Sequence, residues 1–522
     1  MQIPSSAPSK SRWLSDWTII SLIALVSLAL HVLVIQNYNY FRDELYYVAC
    51  SNHLALGYVD QPALSLVILR GVRMAFGDSL AAIRVLPALG SAAIVFLTGL
   101  MARELGGKRF ALILAAMAGF APTGNIFTFH IYSMNFIDIL FWQACILIII
   151  RLVKTENPKY WLLFGAVAGL GLENKVSLLF LGFGIAAGLL LTKNRRYLLN
   201  KYLWLGGIIA GFLFLPYILW NATQGWPTLE FMRNAEGTKN IANTFLGFFR
   251  DQLGYNNPLT LLVWFPGLFY FFFHREGKKF RLFGLMYISL YALFFVRHGK
   301  DYYLASAYPV LFAGGAVLWE TWLRPKSRFW LKPLLAGAIF LAALVLCPIT
   351  LPILPVEKAA ALFPRLGINR SQERLTTGAL PQHFADMFGW EELAATVAGV
   401  YKTLSPEEQS KCIIYVRNYG EAGAVDFFGQ RYGLPKATCG HNSYWFWGPP
   451  DWNGDVAIIF GTSNDVQASL DDLSVYFQEV THSASTSCQY CMPYENNRPI
   501  FICRAFKKGS LRDIWPSQKN FI

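Results

Sequence analysis

The first two-thirds of the chain alternates long apolar runs with short polar loops. Eleven stretches are candidates for membrane-crossing helices, each near the ~20 residues that a hydrocarbon core requires. They fall at about 17–36, 85–102, 110–125, 134–151, 160–174, 176–192, 202–220, 258–273, 282–297, 303–322 and 333–351. The fifth and sixth are short, and Glu173, Asn174 and Lys175 punctuate them. One longer polar interval, 37–84, follows the first run and contains an amphipathic stretch, Leu64–Phe76, expected to lie on the membrane surface. After residue 351 the pattern changes. Short apolar stretches at Cys412–Val416, Val456–Phe460 and Pro499–Cys503 read as buried strands, and Glu391–Leu404 and Ser469–Glu479 read as helices. The expected architecture is a polytopic α-helical membrane region, residues 1–351, followed by an α/β domain over 352–522.

Composition agrees with this reading. Of 522 residues, 54% are hydrophobic and 15% charged, well below the ~25% charged of soluble chains. The net charge of +13 raises the question of nucleic acid, and its distribution answers it. Residues 1–351 carry 30 Lys and Arg against 15 Asp and Glu, whereas residues 352–522 carry 15 against 17. The excess sits in alternate loops: Lys10 and Arg12; Arg103, Lys108 and Arg109; Arg151, Lys154 and Lys159; Lys193, Arg195, Arg196 and Lys201; Arg275, Lys278, Lys279 and Arg281; Arg324, Lys326, Arg328 and Lys332. Cytoplasmic loops are enriched in this way. The charge is therefore an orientation signal, not a nucleic-acid surface. It places the N-terminus in the cytoplasm and, for an odd number of spans, the α/β domain outside.

Three polar clusters stand out on the outer side. Arg42-Asp43-Glu44 follows the first apolar run and precedes Tyr58, Asp60 and Gln61. A carboxylate there can accept a proton or hold a divalent ion; equally, it can be a solvated helix end with Arg42 paired to Asp43. His130, Asn135 and Asp138 flank the start of the fourth run, and an acid at membrane depth points to function unless it only caps a helix. Arg297-His298-Gly299-Lys300-Asp301-Tyr302-Tyr303 pairs cations with aromatic rings, which suits a lipid phosphate or an aromatic belt. Arg70, Arg73 and Arg84 are similar phosphate candidates. In the outer domain, Asn418–Gly423 occupies the position of a ligand-binding turn after a strand. The aromatics of His441–Pro450 stack on a sugar or pack the domain on the bundle. Five of the eight cysteines lie outside, including a Cys488-x-x-Cys491 pair that could form a disulfide or half a metal site. Asn221-Ala222-Thr223 matches a glycosylation sequon.

These motifs together resemble the bacterial membrane glycosyltransferases of the dolichyl-phosphate-mannose–protein mannosyltransferase family (glycosyltransferase family 39, GT-C fold), related to the lipid A aminoarabinose transferases. The carriers are Arg42-Asp43-Glu44-Leu45-Tyr46-Tyr47, Gly57-Tyr58-Val59-Asp60-Gln61-Pro62, Ser133-Met134-Asn135 with Asp138-Ile139-Leu140-Phe141-Trp142, and Lys300-Asp301-Tyr302-Tyr303. The resemblance implies inverting transfer of a hexose or pentose from a polyprenyl-phosphate donor to a protein, lipid A or glycan acceptor, on the outer face of a bacterial inner membrane. It implies Asp43 as base, with Glu44 beside it. A phosphate-binding Lys of the family falls at Gln61 here, so that role passes to Lys300, with Tyr302 and Tyr303, or to Arg70, Arg73 or Arg84. A second family Asp falls at Asn135. Tyr58, Asp60, Gln61, His130, Asn135, Asp138 and His298 are the expected lining of the substrate cavity. A divalent metal between Asp43 and Asp138 is the only cofactor left open, and no nucleic-acid partner is expected. A polytopic transporter or lipid flippase is the competing reading, although no inverted repeat is visible.

Overall fold

The computed structural model describes residues 15–238, 244–368 and 376–522. Lys10 and Arg12 lie outside the described residues. Each of the eleven apolar stretches is helical, but they differ in length. Seven helices are long and apolar enough to cross a bilayer: Asp16–Leu33, Leu80–Glu104, Met134–Thr155, Lys201–Thr223, Gly277–Val296, Tyr302–Trp322 and Lys326–Thr350. An eighth crossing exists if Leu178–Leu190 and Lys193–Leu199, bent by 114°, form one span. Arg109–Phe120, Tyr160–Leu172 and Pro258–Phe273 are apolar but shorter. At 1.5 Å per residue, a 12-residue helix reaches only about 18 Å of a ~30 Å hydrocarbon core.

The short helices are held by close backbone packing. A Cβ at Gly165 would lie 2.1 Å from the Gly206 carbonyl oxygen, so Tyr160–Leu172 and Lys201–Thr223 cross where neither has a side chain.

The polar interval after the first helix folds into two helices. Leu64–Phe76 has the expected bounds and two apolar faces: Leu66, Leu69 and Val72 are buried, while Val67, Met74 and Phe76 are exposed. Arg42–Asn52 is different, since Glu44 through Ser51 are all buried. It is the floor on which the outer domain sits.

That domain is built on a five-stranded sheet. Its strands are β1 (Cys412–Tyr415), β2 (Ala437–Thr438), β3 (Val456–Phe460), β4 (Phe477–Ser485) and β5 (Pro499–Phe506), in the order β2-β1-β3-β5-β4. β2, β1 and β3 are parallel; β5 runs antiparallel to β3 and β4. The expected helix at Glu391–Leu404 is present as Trp390–Lys402. The one at Ser469–Glu479 is present but shifted: the helix spans Val466–Ser474, and Phe477–Glu479 start β4. β4 is an edge strand with mostly exposed residues, so it lacks the apolar run that marks β3.

Candidate active site at the bundle–domain junction

Consecutive residues on a helix point about 100° apart, and this separates the two acids of Arg42-Asp43-Glu44. Glu44 and Arg84 are both fully buried and face each other in a bidentate pair, Nε to Oε1 at 2.9 Å and Nη2 to Oε2 at 2.8 Å. The same carboxylate accepts the Phe41 and Tyr132 amides, each at 2.9 Å. Four donors saturate it, so Glu44 is no base, and Arg84 has no capacity left for a lipid phosphate. Both expectations are corrected: the pair is a structural fastener. His130 belongs with them. It is buried with Nε2 3.3 Å from Arg84 Nη1, and burial with the Arg84 charge holds its pKa well below the ordinary value.

Asp43 is different. Its side chain keeps 36% of its accessible surface. The outer domain reaches it through Asn418, whose side chain accepts the Gly420 and Glu421 amides and starts the helix Tyr419–Phe428. The Tyr419 hydroxyl donates to Asp43 Oδ1 at 2.9 Å. Burial pushes the Tyr419 phenol up, so it keeps the proton that it donates. Arg42 Nε lies 3.5 Å from the same oxygen, and its Nη1 donates to the Tyr494 hydroxyl at 2.7 Å. The two helices meet through glycine. A Cβ at Gly420 would come within 2.5 Å of Arg42 Cγ, and one at Gly423 within 2.9 Å of Leu45 Cβ. The Gly420-Glu421-Ala422-Gly423 motif is thus a docking surface for the Arg42–Asn52 helix. Sequence reasoning noted the turn but missed Tyr419; the glycines three apart were the available signal.

Neighbouring groups extend the junction. The Tyr46 hydroxyl lies 2.9 Å from Asp60 Oδ1 and 2.8 Å from Ser443 Oγ. Tyr47 OH accepts the Met134 amide at 3.2 Å, tying this helix to the start of Met134–Thr155. One turn further, Asn135 and Asp138 face Lys175. The ammonium donates to Asn135 Oδ1 at 2.7 Å and lies 5.6 Å from the Tyr302 ring and 6.0 Å from the Tyr303 ring. Burial and the nearby Lys300 charge lower the Lys175 pKa, while Asp138 raises it. Asn135, Asp138, Lys175, Tyr302 and Tyr303 line one small cavity. Lys175 was legible in the sequence only as punctuation between two short helices.

Other expected lining residues lie elsewhere. Tyr58 and Gln61 are sealed in a tight turn, with the Tyr58 amide donating to the Gln61 carbonyl at 2.9 Å. Arg70 donates to Asn52 Oδ1 at 3.0 Å and Arg73 to Ser51 Oγ at 2.6 Å, so both cap the Arg42–Asn52 helix. His298 is exposed, with φ at +50°. The aromatics of His441–Pro450 pack the domain on the bundle: Trp447 stacks on His53 at 4.1 Å and Phe446 meets Trp220 at 5.6 Å. Asn221 of the sequon is buried and donates to the Tyr217 carbonyl at 3.2 Å. Among the described residues no three His, Cys, Asp or Glu side chains gather as a metal-ligand set. Asp43 and Asp138 each face a cation, Arg42 and Lys175, which is a poor setting for a shared divalent ion.

Residues 60–220 match the family described as dolichyl-phosphate-mannose-protein mannosyltransferase. That segment includes Asp60, Asn135, Asp138 and Lys175. The fold matches ArnT from Cupriavidus metallidurans in the apo state, with TM-score 0.62 at 15% identity, over 92% of this chain and 97% of that one. It also matches ArnT bound to undecaprenyl phosphate, with TM-score 0.59 at 12% identity, over 93% and 97%. The archaeal oligosaccharyltransferase AglB from Archaeoglobus fulgidus, in complex with an inhibitory peptide and a dolichol-phosphate, aligns with TM-score 0.52 at 12% identity, over 96% of this chain and 77% of that one. No curated protein matches the chain by sequence. The fold class is therefore the membrane GT-C architecture with a C-terminal α/β domain. Within it, residues 60–220 are similar to the dolichyl-phosphate-mannose-protein mannosyltransferase family.

Proposed function

We propose that this protein is a membrane glycosyltransferase that moves one sugar, with inversion, from a polyprenyl-phosphate donor to a protein, lipid or glycan acceptor. The membrane is read as the bacterial inner membrane, with the α/β domain on its outer face. The family match over 60–220 supports the class, and the lipid phosphates in the ArnT and AglB complexes support the donor. The observation that carries the reading is Asp43, a half-open carboxylate held by Tyr419 where the outer domain meets the bundle.

In this scheme Asp43 takes the proton of the acceptor nucleophile as that atom attacks the anomeric carbon. The bond to the lipid phosphate breaks on the opposite face. Negative charge grows on the leaving phosphate, so a fixed cation stabilises the transition state. Lys175, which faces Asn135 and Asp138 with Lys300 in its electrostatic field, is the cation assigned to this role. The transporter reading is disfavoured because no inverted repeat is visible in the sequence.

The test is transfer from a labelled polyprenyl-phosphate sugar in membranes. Asp43→Asn is expected to abolish it while the protein still accumulates. Wild-type transfer by that variant overturns the assignment of the base.

A further inference from the structure

The outer domain carries a second reactive feature, outside the junction just described. The eight cysteines are all free, and seven of them are buried; Cys488 alone is partly exposed. It shares a tight turn with Cys491. The Cys491 amide donates to Cys488 Sγ at 3.2 Å, and the Cys491 thiol donates to the Cys488 carbonyl at 3.4 Å. The turn is seated on Gly389, the residue that starts the Trp390–Lys402 helix. Gly389 has φ of +91°, and a Cβ there would lie 3.0 Å from Cys488 Sγ and 3.3 Å from Cys491 Cβ. The pair therefore sits directly against a helix N-terminus, where a thiolate is favoured.

The pair also lies within a closed loop that reaches the junction. The Thr486 amide donates to the Arg498 carbonyl at 2.9 Å, and the Cys488 amide to Asn496 Oδ1 at 2.9 Å, so residues 486–498 form a closed excursion. Its tip holds Tyr494, which accepts from Arg42, and Glu495, which accepts from Asn418 Nδ2 at 3.0 Å. Both contacts end at the Asp43 junction.

We infer that Cys488 and Cys491 are a reversible dithiol–disulfide pair, with Cys488 as the attacking thiol, that fastens the loop holding Arg42. The two thiols differ as such a pair requires. A hydrogen bond from Cys491 lowers the Cys488 thiol, and the same bond, with burial, raises Cys491. In exchange with a disulfide such as oxidised glutathione, the Cys488 thiolate attacks one sulfur and releases one glutathione thiol. Cys491 then attacks the mixed disulfide at Cys488 and releases the second. The protein loses two protons and two electrons, and one disulfide becomes two thiols.

The test uses the full-length protein in detergent. Iodoacetamide on the reduced protein is expected to label Cys488 at least tenfold faster than any other cysteine. Oxidised glutathione should give the 488–491 disulfide in the wild type, reversed by dithiothreitol. Cys491→Ser should keep glutathione on Cys488, and Cys488→Ser should take up none. Hydrogen exchange of residues 492–498 should slow several-fold in the oxidised form. A wild type that retains the mixed disulfide, or a Cys491→Ser variant that takes up none, overturns the exchange. Equal hydrogen exchange in the two redox forms overturns the fastening. None of these readouts depends on the proposed transfer activity.

Discussion

Tyr419 and Asp43 stand 376 residues apart in the chain and 2.9 Å apart in the fold. The hydroxyl comes from the α/β domain and the carboxylate from the membrane region. The outer domain is thus part of the candidate site, not an appendage to it.

This bond predicts the behaviour of Tyr419→Phe. A hydrogen bond to a charged group contributes about 1.5–3 kcal/mol. If it positions the base, turnover should fall about 10- to 100-fold while the KM for the lipid donor stays within about twofold. Steady-state transfer assays with purified protein measure both. A raised KM with unchanged turnover would place Tyr419 in donor binding instead.

Asp43 and Glu44 should respond in opposite ways. Asp43→Asn is expected to lose transfer by about 10²- to 10⁴-fold with little change in thermal unfolding. Glu44→Gln should instead destabilise the fold, because it strands Arg84 in a sealed site, at a cost of about 3–5 kcal/mol. Thermal unfolding in detergent separates the two, and a fully stable Glu44→Gln protein would refute the fastener role.

Lys175→Ala and Lys300→Ala should each weaken binding of a polyprenyl phosphate by tenfold or more. Arg70→Ala, which loses only a helix-capping contact, should bind as the wild type does. Titration with the lipid phosphate alone measures this. Equal affinity in all four proteins would remove the proposed phosphate site.

Glu495 supplies a pH prediction. Burial and the neighbouring Glu421 push its pKa well above the ordinary carboxylate value. The folded state therefore binds this proton more tightly than the unfolded chain. Its contribution to stability is complete below the unfolded pKa of ~4.3 and is lost as pH rises through the folded value. Glu495→Gln should flatten that decline and raise the Tm at neutral pH relative to the wild type. A decline as steep in the variant assigns it to other groups.

The sequence made the elements with unbroken apolar patterns visible. Val456–Phe460 is buried along its whole length, and its bounds were read without error. Most of β4 has no signature and its first three residues read as helix, because an edge strand needs few apolar residues; β2, with only two residues, leaves no pattern at all. At the site, the acids were legible but not their roles. Asp43 and Glu44 are adjacent and chemically alike, and only the position of Arg84, forty residues on, decides which one is sealed. Lys175 was out of reach for the same reason: a contact made by tertiary packing leaves no local spacing to read, whereas beside Tyr419 the spacing of Gly420 and Gly423 was the one local hint.

The Glu44 fastener also has a bearing on biogenesis. The ribosome makes this carboxylate 40 residues before Arg84 and 88 residues before Tyr132, whose amide completes its set of partners. The charge must wait, exposed, until two further stretches of chain have been delivered to its side of the bilayer. Closure of this knot reports that the first segments have been inserted in the right order. A variant lacking either charge would leave a lone ion in a greasy setting, a mark that membrane quality-control proteases can recognise.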